Sequence, residues 1–262
     1  MAIFHNVSNE IAGLDVKLYI AIVRSARFLT ILYTVLFPVW SIAGTPPKLV
    51  VIGFMGGFVH HDDTAHQEVQ LAAHLRKDYA SRMDVRVFAN HVGHHAHSEI
   101  LDLLDTDHDG TLSAIEKQQA RIVLFGHSWG ASEAVTEARK LERDGVPVLL
   151  TIQVDSVSKP GEDDRSIPAN VAQAVNYYQP HGLIHGKSRI YAADPSRTQI
   201  LGNFRVDYSA NPVSCAGYPW FARHFMKPHI EIESDPVVWN QVESLIVSKL
   251  PPGTLDSATA RR

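Results

Sequence analysis

One stretch constrains this 262-residue chain more than any other. Ile122-Val-Leu-Phe125 is a short apolar run of the kind that forms a buried strand, and Ala131 to Arg143, rich in Ala, Glu and Arg, reads as a helix stopped by Gly145. Between them stands Gly126-His-Ser-Trp-Gly130. A strand that passes so quickly into a helix must turn sharply, and a side chain at either glycine would strike the neighbouring strand or helix. Ser128 then sits on the turn with its hydroxyl lifted above the sheet edge. The Trp129 amide lies at a helix amino end, where it can donate to a developing negative charge.

The rest of the chain repeats this alternation. Lys48-Leu-Val-Val-Ile-Gly53, Val85 to Ala89 and Val148 to Val154 read as strands, with Arg189 to Ala193 a fifth and Ile200 to Val206 a candidate sixth. Gln67 to Tyr79 carries Leu71, Ala72, Leu75 and Tyr79 at helical spacing; Ala169 to Gln179 is expected to be a helix, with Pro168 near its start. Asp235-Pro236 opens a final helix with Val238, Val242, Leu245 and Ile246 on one face. Strands alternating with helices imply an α/β class, a mostly parallel, doubly wound sheet. With 45% hydrophobic residues the chain can bury one sizeable core, expected over residues 44–250, with a polar tail at 251–262. A net charge of −4 without a Lys/Arg block argues against nucleic-acid binding, and the lone Cys215 excludes an internal disulfide framework and a cysteine-based zinc site.

The amino end reads as a targeting segment. Arg24 and Arg27 precede the uncharged run Phe28 to Trp40, and Ser41 and Ala43 supply small residues before a cut after Ala43. Residues 1–43 are therefore expected to be a signal peptide, and the protein secreted or periplasmic. The alternatives are a membrane anchor, which would tie the protein to a membrane, or a buried helix; Pro38 and the shortness of the run weigh against spanning.

Through Gly126-His-Ser-Trp-Gly130 in its strand–turn–helix setting, and Val51-Ile-Gly-Phe-Met-Gly-Gly57 after an early strand, the chain resembles the α/β-hydrolase superfamily in its lipase and esterase branch. The resemblance spans about residues 48–250. It implies an α/β-hydrolase fold, a mostly parallel sheet flanked by helices on both faces, with nucleophile, acid and histidine in that chain order. Ser128 would be the nucleophile. The second oxyanion amide would come from Phe54, with Met55 as runner-up, although Ile52 stands where the family often has histidine. The base would be His229, in Lys227-Pro-His-Ile-Glu231 directly before the terminal helix; His224 is the runner-up, and His181 and His185 fit a loop better. Asp155, Asp194 and Asp207 each follow a strand and compete for the acid. Asp155 is preferred because its strand is unusually apolar. The chemistry implied is ester cleavage through an acyl-enzyme on a small-molecule ester or lipid, with little sequence left for a large lid and no protein partner evident. Thioesterase, amidase or acyltransferase activity on the same residues, or a non-catalytic calcium-dependent binding module, are the rivals.

Asp105-Thr-Asp107-His-Asp109-Gly-Thr111-Leu-Ser113-Ala-Ile-Glu116 matches an EF-hand loop at its defining positions. Carboxylates stand at positions 1, 3 and 5, glycine at 6, the Thr111 carbonyl at 7 and Glu116 at 12. One structural Ca²⁺ is the expected cofactor, a single loop fitting a stabilising ion better than a signalling pair. The chain also carries 15 histidines, crowded at His60-His61 and at His91, His94, His95 and His97. These read as surface or pocket-rim residues, because no long-range spacing singles out a ligand set.

Overall fold

The computed structural model describes residues 47–251, so the expected export segment and nearly all of the expected tail lie outside the described residues. Among the described residues no helix is long and apolar enough to cross a membrane. The elements run β1 (Leu49–Met55), α1 (Gln67–Tyr79), β2 (Met83–Ala89), α2 (Gly93–Leu104), α3 (Ala114–Gln119), β3 (Ile122–His127), α4 (Trp129–Arg143) and β4 (Val148–Val154). There follow β5 (Ser166–Ile167), β6 (Val171–Tyr178), β7 (Tyr191–Ala192), β8 (Gln199–Arg205), α5 (Trp220–Phe225), α6 (Lys227–Glu233) and α7 (Pro236–Val247).

Six strands form one sheet in the order β2-β1-β3-β4-β6-β8, every neighbouring pair parallel. Alternate residues of the buried β1 serve opposite faces. Leu49, Val51 and Met55 join α1 and α7 through Leu75, Val242 and Ile246; Val50, Ile52 and Phe54 join α2 and α4 through Ile100, Val135 and Leu141. The sheet is therefore covered by helices on both faces, the fold class expected from the sequence. All strands end at one edge. There the order reverses, β1 connecting onward to β2 on one side while β3 flanks it on the other, and ligands in such folds bind outside the carboxyl ends at that point.

Two elements differ from expectation. Residues 169–179 form no helix: Val171–Tyr178 is β6, a central strand between β4 and β8. Its Val and Tyr residues suit a pleated surface better than a helix, and pairing on both edges overrides the local proline signal. The fifth expected strand shrinks to Tyr191–Ala192, which pairs with β5 in a separate two-stranded sheet. Asp194 therefore follows a strand outside the main sheet.

Candidate active site

Ser128 joins β3 to α4 with φ 56° and ψ −125°, a backbone conformation that L-residues rarely adopt. Hydrogen bonds hold it there: the Ser128 amide donates to the Val154 carbonyl at 3.0 Å, and the Ser128 carbonyl accepts from the Val157 amide at 3.2 Å. The flanking glycines are sterically required. A Cβ at Gly130 would stand 2.0 Å from the Phe54 carbonyl oxygen, and one at Gly126 would stand 2.5 Å from the Gly130 backbone. This packing locks the serine above the sheet.

His229 approaches from α6. Its Nε2 lies 2.9 Å from Ser128 Oγ, and its Nδ1 lies 2.7 Å from Asp155 Oδ2. A carboxylate can only accept, so Nδ1 donates to Asp155 and Nε2 is left to accept the serine proton. Asp155, immediately after β4, is wholly buried and at positive φ, 44°. It accepts three further hydrogen bonds: from the Gln179 amide at 3.1 Å, from Gln179 Nε2 at 2.9 Å and from the Gly186 amide at 2.6 Å. Gly186 has no side chain because a Cβ there would meet Asp155 Oδ1 at 2.5 Å.

The competing residues lie elsewhere. Asp194 caps its own turn by accepting from the Ser196 amide and hydroxyl, and Asp207 is exposed among Ser209, Arg205 and His181. His181, His185 and His224 are exposed; His229 is buried.

The Phe54 backbone packs against the Ser128 turn at Gly130, but Phe54 does not line the cavity. The strand runs on through Met55, so Phe54 stays inside the ladder, in register with Phe88 and Gly126 and fully buried. The first residues free of β1 are Gly56 and Gly57, which line the same cavity as Ser128; a Cβ at Gly56 would lie 3.2 Å from Ser128 Cβ. Asn90, just beyond β2, fixes this turn by donating to the carbonyls of Met55 and Gly57. Trp129 starts α4 as expected, and its indole meets the Phe58 ring edge-on at 5.2 Å.

The cavity has a volume of about 440 Å³. Val59, Phe221, Ala222, Met226 and Ile230 give it apolar walls, while Trp220, Phe225 and Phe58 stand exposed nearby in the sequence segments that form it. Beside Ser128 it has a second polar wall that sequence reading missed. His127 packs its ring 4.4 Å from that of His229 and places Nε2 3.2 Å from the His229 carbonyl oxygen. Burial, reinforced by His229, pushes the His127 imidazole down to about 4. Its Nδ1 faces Glu233 Oε2 at 3.3 Å, and the other Glu233 oxygen contacts His66 Nδ1. Behind them lies Glu68, wholly buried, with neither carboxylate oxygen reaching a hydrogen-bond partner among the described residues. Burial, then the charge of Glu233, pushes Glu68 up to about 8. His66-Gln-Glu68 and the Glu233 that follows His229 by one helical turn are far apart in sequence, so no spacing announced the grouping.

In the loop 105–116, Asp105, Asp107 and Asp109 bring one carboxylate oxygen each within 4.8 Å of one another, and Asp105 Oδ2 accepts from the Gly110 amide at 2.8 Å. Gly110 takes φ 84°. Glu116 is turned to other partners: one oxygen accepts from the Thr106 amide and hydroxyl, the other from Ser113 at 2.9 and 2.8 Å, closing a capping box on α3. Thr111 donates its amide to Asp109. His60, His61, His91, His94 and His95 are exposed, and none of them lines the cavity.

No family model and no curated protein matches the sequence. Among solved structures, the chain is similar to a dienelactone hydrolase from Anabaena variabilis (9% identity, 78% of this chain and 86% of that one, TM-score 0.40). It is similar also to a dienelactone hydrolase-like promiscuous phosphotriesterase from metagenomic libraries (10% identity, 81% and 91%, TM-score 0.41). A third is a type II thioesterase of the yersiniabactin biosynthetic pathway (11% identity, 78% and 98%, TM-score 0.33). At such values the site's own geometry has to carry any functional conclusion.

Proposed function

We propose that the protein is a serine hydrolase that cleaves carboxylic esters through an acyl-enzyme. The observation that supports this most is the unbroken hydrogen-bonded chain Ser128 Oγ–His229 Nε2 and His229 Nδ1–Asp155 Oδ2 at a cavity wall. His229 takes the Ser128 proton as Oγ attacks the ester carbonyl, then returns it to the departing alcohol oxygen; water, deprotonated by the same imidazole, releases the acid. Asp155, held by Gln179 and Gly186, keeps the imidazole in the tautomer this needs. The Trp129 amide and an amide of the Gly56–Gly57 turn, in place of Phe54, receive the oxyanion. The apolar cavity and the exposed Phe58, Trp220 and Phe225 favour an ester with a hydrophobic acyl or alcohol part over a small polar one. The thioesterase reading uses the same residues and is separated by substrate profiling.

The test is hydrolysis of nitrophenyl acetate, butyrate and octanoate by the purified protein. The proposal requires a turnover that Ser128→Ala removes, with longer chains preferred; turnover that survives this substitution contradicts it. For the loop 105–116 we propose one structural Ca²⁺ on Asp105, Asp107 and Asp109 and the Thr111 carbonyl, with Glu116 rotating from its cap to complete the set. We propose further that residues 1–43 direct export, where calcium is abundant enough for a weak site; mass spectrometry of the protein from the culture medium, beginning at Gly44, is the result expected.

A further inference from the structure

We propose that His66, Glu68 and Glu233 form a second site beside the nucleophile that binds a divalent transition-metal ion, zinc being the ion suited to one imidazole and two carboxylates. The three side chains each offer a ligand atom, and these atoms lie within 4.8 Å of one another. Atoms around a tetrahedral zinc stand roughly 3.3 Å apart, so side-chain rotations of about an ångström close the set.

Three further features point to a cation. Glu68 is wholly buried and aimed into the cluster, yet among the described residues no side chain donates to either of its oxygens, and only the Glu68 and His127 backbone amides lie near enough to favour its charge. A buried carboxylate without donors is costly, and a second, Glu233, faces it at 3% exposure. Second, donors are in short supply. The His229 carbonyl can only accept, so His127 Nε2 carries the proton and its Nδ1 turns a lone pair toward Glu233 Oε2. That leaves His66 and the Tyr218 hydroxyl, 3.4 Å from His66 Nδ1, as the nearby side-chain donors besides any proton Glu68 itself retains, with the Glu68 and His127 backbone amides behind them. Among the described residues no lysine or arginine is paired with either carboxylate. A dication neutralises both. Third, the Asp63 carboxylate stands 3.8 Å from His66 Nε2, beyond hydrogen-bond length but near enough to close onto that nitrogen once the other one holds a metal.

His66 and Glu233 line the cavity that also holds Ser128, whereas Glu68 lies beside them and outside the lining. The remaining coordination position therefore opens toward the space a substrate occupies and would take water or an oxygen of an anionic or carbonyl-bearing ligand. The site stands on its own geometry, and metal binding is read without reference to ester hydrolysis.

The experiment uses the full chain, stripped with chelator and dialysed, then titrated with zinc chloride by calorimetry, in parallel with Glu68→Gln. Exposed histidine pairs such as His94 and His95 bind zinc weakly, so the difference between the two proteins is the quantity read. The expected result is one tight equivalent in the wild type, weakened at least tenfold by Glu68→Gln. No tight equivalent, or one indifferent to the substitution, overturns the site and leaves Glu68 holding a proton instead. If Glu68→Gln does not fold, zinc-edge anomalous scattering from wild-type crystals soaked in zinc chloride decides. A peak among the three side chains supports the proposal; a peak only elsewhere, or none, overturns it.

Discussion

The short helix α6 carries His229 and Glu233 one turn apart, and both face the same cavity, yet their surroundings are opposites. At His229 the acid is saturated: Asp155 accepts from His229, twice from Gln179 and once from Gly186. At Glu233 a second acid, Glu68, is equally buried, and among the described residues no side chain donates to it. A third region shows how the fold ordinarily solves this problem. Glu133 and Glu137 on α4, also buried, are paired with Lys140, Lys159 and His97. Donors hold Asp155 as an oriented partner for an imidazole; cations hold Glu133 and Glu137 as part of the frame. Glu68 and Glu233 have neither in sufficient number, and that deficit marks them as a ligand site.

The largest effects belong to the saturated end. Replacing His229 with Ala is expected to lower kcat/KM for nitrophenyl butyrate by on the order of 10⁴–10⁶, and Asp155→Asn by about 10⁴. Asp194→Asn and Asp207→Asn should stay within about twofold, since those residues close surface turns; a large loss at either would break the contrast. Next comes stability without added metal. Asp155→Asn turns an NH₂ toward groups that already donate, and should cost about 1–3 kcal/mol in chemical denaturation. Glu68→Gln removes a buried charge that nothing satisfies, and in chelator at pH 9 it should raise the melting temperature above wild type. The sign follows from the raised value near 8: above it the folded protein must hold Glu68 ionised, and stability falls as pH rises from the unfolded value near 4.5 through 8. Equal destabilisation by both substitutions would show that the two acids are alike after all.

The smallest effect concerns the acids of the loop 105–116. Calcium at about thirtyfold its dissociation constant would add roughly 2 kcal/mol, a shift of about 4–8 °C in melting temperature for a domain this size. Asp105→Asn should abolish most of that shift. An unchanged melt with calcium removes the ion.

What could be read from the sequence follows the locality of the signals. The turn at Ser128 is spelled out by two glycines and a strand-to-helix change within a few residues, and the collisions a Cβ would make explain why both are needed. The terminal helix was legible from its Asp235-Pro236 start, and Asp235 does accept from the Val237 amide. Strand β6 was not, because Val171-Ala-Gln-Ala-Val175 is locally ambiguous and only its place between β4 and β8 makes it a strand. The end of β1 was read too early, since pairing with β2 carries the strand beyond Gly53 to Met55 and leaves Gly56 and Gly57 as the first residues that turn toward the cavity. Glu68 and Glu233 could not be linked at all. Their meeting is a product of α1 and α6 converging on the end of the sheet, and no one-dimensional pattern encodes it.

The nucleophile itself is tested most directly by covalent capture. Incubating the protein with a fluorophosphonate and mapping the modified peptide by mass spectrometry should give one adduct, on Ser128, whose formation is slowed by about 10³-fold or more in His229→Ala. An unmodified Ser128, or an adduct that forms as fast without His229, would contradict the account.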